Sequence, residues 1–259
     1  MNIRKKILTR CGALLTAVLV LAPTALAAEA EIPYIPQTVP AAQLAPADQR
    51  GQEDWQLLLV NPWHTVPEGY EIKLATLSNG LQVDERIYDD LDDMLSDCRE
   101  AGLNPIVCSA YRTEATQTRL YRNKVARVRA SGVPEDRVEA EAARWVAKPG
   151  TSEHQTGLAA DIVTPTHQTL DPEFADTEAG QWLSEHAYEY GFVLRYPADK
   201  QDVTGIIYES WHYRFVGKTH AKLMKESGLC LEEYLQQEVP EGYTGIADPY
   251  ADPQTDLVQ

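Results

Sequence analysis

Apolar positions along this chain fall into two periods, one of three to four residues and one of two. Ile87, Leu91, Met94, Leu95 and Cys98 recur at helical spacing, Asp84 can cap that helix, and Gly102 closes it. Thr113 starts a second helix with Leu120, Tyr121, Val125 and Val128 on one face. Pro134 suits the first turn of a third, with Val138, Ala142 and Trp145 facing inward. A fourth is predicted over 178–190, ending at Gly191, and a last amphipathic helix over 218–227. Short apolar strands are predicted at 57–60, 105–110, 158–163, 192–196 and 206–216, the last interrupted near Glu209. There Trp211, Tyr213 and Phe215 alternate with His212, Arg214 and Val216, so one face is aromatic and buried while the other carries His212. Early helices followed by clustered strands predict an α+β domain, an antiparallel sheet flanked by helices.

The two ends read differently. Arg4, Lys5, Lys6 and Arg10 precede an apolar run over 11–23, and Ala25, Leu26 and Ala27 form a small-residue cleavage site. Residues 1–27 are thus expected to be a secretory signal of bacterial type, removed on export to the cell surface or wall and leaving no stable membrane span. Residues 28–54, with Pro33, Pro36, Pro40 and Pro46, read as an extended spacer. The folded domain is expected over 55–239. Residues 240–259 hold Glu241, Asp248, Asp252 and Asp256 without Lys or Arg, and read as a disordered acidic tail.

Composition narrows the function. Of 259 residues 44% are hydrophobic, enough for a core, and the formal charge of −16 argues against nucleic acid as a partner. A monomer is expected. Outside the leader stand Cys98, Cys108 and Cys230, an odd number. Cys98 and Cys108 could meet as a disulfide where the first helix packs on the following strand, or stand as two separate core residues.

Three short segments carry candidate chemistry. His154 and Asp161 stand seven positions apart with Gly157 between them, which lets the chain turn and bring both to one point. Downstream, Glu209 and His212 lie three apart. On a regular strand such positions face opposite sides, so the chain must bulge or turn for both to reach one site. Two His and one Asp make a three-ligand zinc site with its fourth position open, the catalytic arrangement. Glu209 is then a spare carboxylate of the kind that takes a proton from water. The third segment is Ser109 to Arg112 with Gln117 beyond it, where Arg112 can aim at a carboxylate or a polarised carbonyl. Each segment alone has an ordinary structural explanation. His64, His167, His186 and His220 lack such company and read as surface or capping histidines.

Together the segments resemble the VanY-type D-alanyl-D-alanine carboxypeptidases, zinc peptidases of the hedgehog/DD-peptidase fold. The pattern S-x-H-x-x-G-x-A-x-D is met by Ser152, His154, Gly157, Ala159 and Asp161. E-x-W-H-[YF]-R is met by Glu209, Trp211, His212, Tyr213 and Arg214, and S-[AG]-Y-R-[ST] by residues 109–113. The resemblance implies one zinc ion on His154, Asp161 and His212, with Glu209 as general base and then acid. It implies that Arg112 stabilises the oxyanion or holds substrate. Ser152, Gln117, Ser109, Tyr111 and Trp211 would surround the terminal D-alanine of a peptidoglycan stem peptide. Two other readings stay open: an LD-carboxypeptidase acting on the stem tetrapeptide, and a non-catalytic zinc module that only binds wall peptide.

Overall fold

The computed structural model describes residues 55–236. The expected leader, spacer and tail lie outside the described residues. Within the described residues, a 3₁₀ turn at Trp55–Leu57 is followed by a hairpin in which β1 (Leu74–Thr76) pairs antiparallel with β2 (Gln82–Asp84). Asp84 accepts from the Arg86 amide and caps one 3₁₀ turn leading into α1 (Tyr88–Glu100). All five residues of the sequence stripe, Ile87 to Cys98, are buried.

The central sheet has four strands: β3 (Ile106–Ser109), β4 (Ala159–Val163), β5 (Phe192–Leu194) and β6 (His212–Phe215). Their order is β3-β4-β6-β5 and every pairing is antiparallel. One face, with Ala160, Ile162, Trp211, Tyr213 and Phe215, packs on α1 in the main core. The opposite face carries Asp161, His212 and Arg214, all buried. The α2 helix (Glu114–Ala130), capped by the Thr113 side chain, packs on α3 (Val138–Trp145) through Val125, Val128, Val138 and Ala142. Beyond them follow α4 (Glu178–His186), α5 (Gln201–Thr204), α6 (Lys218–Ser227) and α7 (Leu231–Tyr234). None of the described helices is long and apolar enough to cross a membrane.

Four expectations are corrected. Residues 57–60 form no strand: a 3₁₀ turn at Trp55–Leu57 leads into chain whose Gln56 and Leu58 carbonyls accept from Arg214, so a buried guanidinium takes the place of a ladder. The strand expected at 105–110 is not buried throughout. As β3 it is the sheet edge, with Ile106 and Cys108 exposed and the Val107 carbonyl met by the Asn79 side chain. The long strand at 206–216 shrinks to β6, because a turn precedes it. The fourth helix tightens to 3₁₀ at Ala187–Tyr190 before Gly191 turns left-handed at φ 87°. Cys98, Cys108 and Cys230 are all free thiols. Burial pushes Cys98 up to about 11 and Cys230 up to about 12, so neither is a thiolate at neutral pH.

Candidate active site

Strand register brings the three sequence segments to one line across the sheet. Asp161 on β4 lies directly opposite His212 on β6 and opposite Ser109 on β3. His154 sits in a 3₁₀ turn (Glu153–Thr156) that ends at Gly157 with φ 72°, and the chain then enters β4. A side chain at Gly157 would meet Ile72 and the Asp84 amide, so glycine is required there for both conformation and room. Glu209 reaches the site because the chain turns before β6: the His212 amide donates to the Glu209 carbonyl at 3.2 Å.

His154, Asp161 and His212 present donor atoms all within 4.8 Å of one another. His154 Nε2 lies 3.3 Å from Asp161 Oδ2, and His212 Nδ1 lies 3.0 Å from Asp161 Oδ1. Zinc bonds of about 2.0–2.1 Å at tetrahedral angles put neighbouring ligand atoms about 3.3 Å apart, so the trio fits that ion. The imidazoles are also preset. His154 Nδ1 donates to the Ala110 carbonyl at 2.8 Å, which leaves Nε2 free to ligate. His212 turns Nδ1 to the trio and Nε2 to Glu153 Oε2 at 3.5 Å, and neither of these two buried atoms has another partner.

Glu153 is held from behind. Its Oε1 accepts from Arg195 Nε at 2.7 Å and from Arg214 Nη1 at 2.8 Å. Arg195 also makes a two-pronged pair with Glu232 at 2.8 and 2.6 Å, and Asn61 donates to Glu232 at 3.0 Å. This network lies in the interior, where unpaired charge is costly. Burial works against the charged carboxylate, but Arg195 and Arg214 outweigh it and hold Glu153 well below the usual carboxylate range.

The remaining ionisable groups divide by environment. Burial lowers His154 to about 4, so it is neutral at pH 7. Asp161 lies well below its ordinary value despite burial, because His154, His212 and Arg112 favour its anion. His212 is disfavoured as a cation by burial, yet its bonds to Asp161 and Glu153 raise it to about 9. Burial pushes Glu209 up to about 8, and its Oε2 lies 3.6 Å from His212 Nδ1. A carboxyl poised near neutrality beside a metal-fitting trio suits proton transfer.

The trio and Glu209 open on a cleft of about 330 Å³ also lined by Arg112, Ser152 and Trp211. Arg112 donates to Asp161 Oδ2 at 2.7 Å and, through two nitrogens, to Ser109 Oγ. Ser109, Tyr111 and Gln117 stand behind this lining. Gln117 is fully buried, donates to the Ala147 carbonyl at 2.7 Å and faces Arg112 at 3.5 Å. Tyr111 donates its amide to the Gln82 carbonyl. The four other histidines bond elsewhere, to Asn61, Asp171, Glu189 and Tyr234.

Residues 80–218 match the family described as VanY, D-alanyl-D-alanine carboxypeptidase. A D-alanyl-D-alanine carboxypeptidase of Enterococcus faecalis is 45% identical over 197 residues, 75% of this chain and 71% of the relative. The chain belongs to the VanY family. Among solved structures similar to it, VanYB in complex with D-alanine-D-alanine is 44% identical with TM-score 0.66, spanning 72% of this chain and 100% of its own. A mutant VanY D,D-pentapeptidase from a VanB-type resistance cassette, in complex with Zn(II), is 43% identical with TM-score 0.65, spanning 70% of this chain and 99% of its own. These neighbours share the α+β fold and its antiparallel sheet.

Of the network behind His212, the VanY motifs mark only Arg214. Glu153 occupies a variable position of the first motif, and Arg195 and Glu232 belong to none. One signal was available. Arg195 interrupts the apolar run 192–196, and a charge in a buried strand requires a partner.

Proposed function

We propose that this protein is an exported zinc-dependent carboxypeptidase that removes the terminal D-alanine from peptidoglycan stem peptides. The observation that carries this reading is the placement of Glu209, a buried carboxyl that is no part of the donor trio, lies 3.6 Å from His212 Nδ1 and opens to the same cleft. A module that only binds peptide has no use for such a group.

His154, Asp161 and His212 would hold the zinc, which when bound supplies Lewis acidity to a carbonyl oxygen and acidifies water. Glu209 takes the proton of the attacking water and passes it to the departing amine. Arg112 lies at the cleft wall, where its guanidinium stabilises negative charge developing on the carbonyl oxygen. Ser109 and Gln117 act by holding Arg112, while Ser152 and Trp211 shape the space for the terminal residue. Action on wall peptides is extracytoplasmic, in keeping with the export signal read from residues 1–27.

Defined stem peptides test this, with products read by mass spectrometry. The pentapeptide ending in D-Ala-D-Ala should lose one D-alanine, and a strong chelator should stop the reaction. Cleavage of the tetrapeptide alone would instead establish LD-carboxypeptidase action. Binding without hydrolysis by zinc-loaded protein would establish a binding module.

A further inference from the structure

Between α2 and α3 the outer cleft wall is cationic. Lys124 and Arg127, one helical turn apart on α2, line it together with Asn123. Lys124 Nζ lies 3.8 Å from the centroid of the Trp145 ring, which fixes the ammonium in a half-buried position. Two carboxylates act on Lys124, Glu141 of α3 and, in the same cleft, Glu209; neither forms a salt bridge with it, and Glu141 is already engaged. Its Oε2 accepts from Arg144 at 2.7 Å and its Oε1 from the Trp145 indole at 3.1 Å. Neither Lys124 nor Arg127 forms a salt bridge among the described residues. Burial and the adjacent Arg127 hold the Lys124 pKa below its ordinary value, as befits an under-compensated cation.

In a chain of formal charge −16, two cations at a cleft wall with no salt-bridge partner among the described residues favour an anion from outside. The direction of the substrate follows from the carboxypeptidase reading, on which this inference rests. The leaving side is a single residue, so the rest of the peptide must occupy the outer cleft, where Trp145 and Leu170 offer apolar walls. We propose that Lys124 and Arg127 form a subsite for a carboxylate on the acyl side of the scissile bond, so that acidic stem peptides are preferred over their amidated counterparts. In a lysine-containing stem peptide the group of that chemistry is the free α-carboxylate of the γ-linked glutamate. Conversion to a carboxamide keeps its shape and removes its charge.

The test uses two pentapeptides that differ only in this carboxylate or carboxamide. The zinc-loaded full chain should favour the acid about tenfold in kcat/KM, the size of one good charge-assisted contact. The ratio should fall towards one in the Lys124→Met, Arg127→Met double variant, in which an unbranched apolar side chain still covers Trp145. Thermal melts check that the variant remains folded. Equal rates for the two peptides in the wild type would overturn the subsite. So would a ratio that survives the double substitution, or a variant in which both peptides weaken together. Calorimetric titration of the same peptides reads the preference without turnover. If neither peptide is cleaved, the carboxypeptidase reading fails, while unequal affinity would still uphold the subsite and equal affinity would overturn it.

Discussion

Replacement of Glu153 by glutamine probes the support behind the metal trio. The carboxylate is fully buried: its Oε1 accepts from Arg195 and Arg214, and its Oε2 stands 3.5 Å from His212 Nε2. A carboxamide has one acceptor oxygen, so it cannot serve both the arginines and His212. Breaking a buried ion pair by neutralising one partner costs about 3–5 kcal/mol. Arg195 keeps Glu232, and Arg214 keeps three backbone carbonyls, so the lower figure applies. At about 2–4 °C per kcal/mol for a domain of this size, a cost of about 3 kcal/mol lowers the Tm by about 6–12 °C. Loss of the hold on His212 weakens zinc by about 10- to 100-fold. Melts of metal-free protein and zinc competition against a chelator measure the two effects. Glu232→Gln serves as a control, expected to lower the Tm while leaving zinc affinity within about threefold, because Glu153 still faces His212. Wild-type zinc affinity in Glu153→Gln would show that Glu153 does not hold His212 for the metal.

Other outcomes follow from the same geometry. His154→Ala removes a ligand, and elemental analysis of the purified protein should find zinc lost. Zinc binding should tighten about tenfold per pH unit between pH 7 and about 9, since His212 is protonated in the metal-free site below about 9 and must lose that proton to ligate. His154, lowered to about 4, adds nothing in that range, and a flat profile by chelator competition would contradict the assignment. Gly157→Ala should cost about 2–5 kcal/mol by denaturant unfolding, because φ is 72° and a methyl would meet the Asp84 amide at 2.8 Å.

Long elements were legible in the sequence because they repeat. The stripe from Ile87 to Cys98 spans several turns and matches α1, whereas β1, β2, α5 and α7 have three or four residues each and show no period. The predicted turn between Glu209 and His212 is present, forced by the need to bring both to one site. The trio was legible only because the three segments together match the VanY patterns; each spacing alone has an ordinary explanation. The Glu153 network was not, because its members come from distant parts of the chain and only the fold makes them neighbours. Residues 57–60 misled for a related reason: their apolar run looks like a strand, but the carbonyl acceptors around it are used by Arg214.

Glu209→Gln is the most direct measurement of the central claim. The substitution keeps the shape of the side chain and leaves His154, Asp161 and His212 in place. Zinc is expected at wild-type stoichiometry by elemental analysis, with a loss of about 10²- to 10⁴-fold in kcat on a D-Ala-D-Ala pentapeptide. Wild-type turnover by the zinc-loaded variant would contradict the claim.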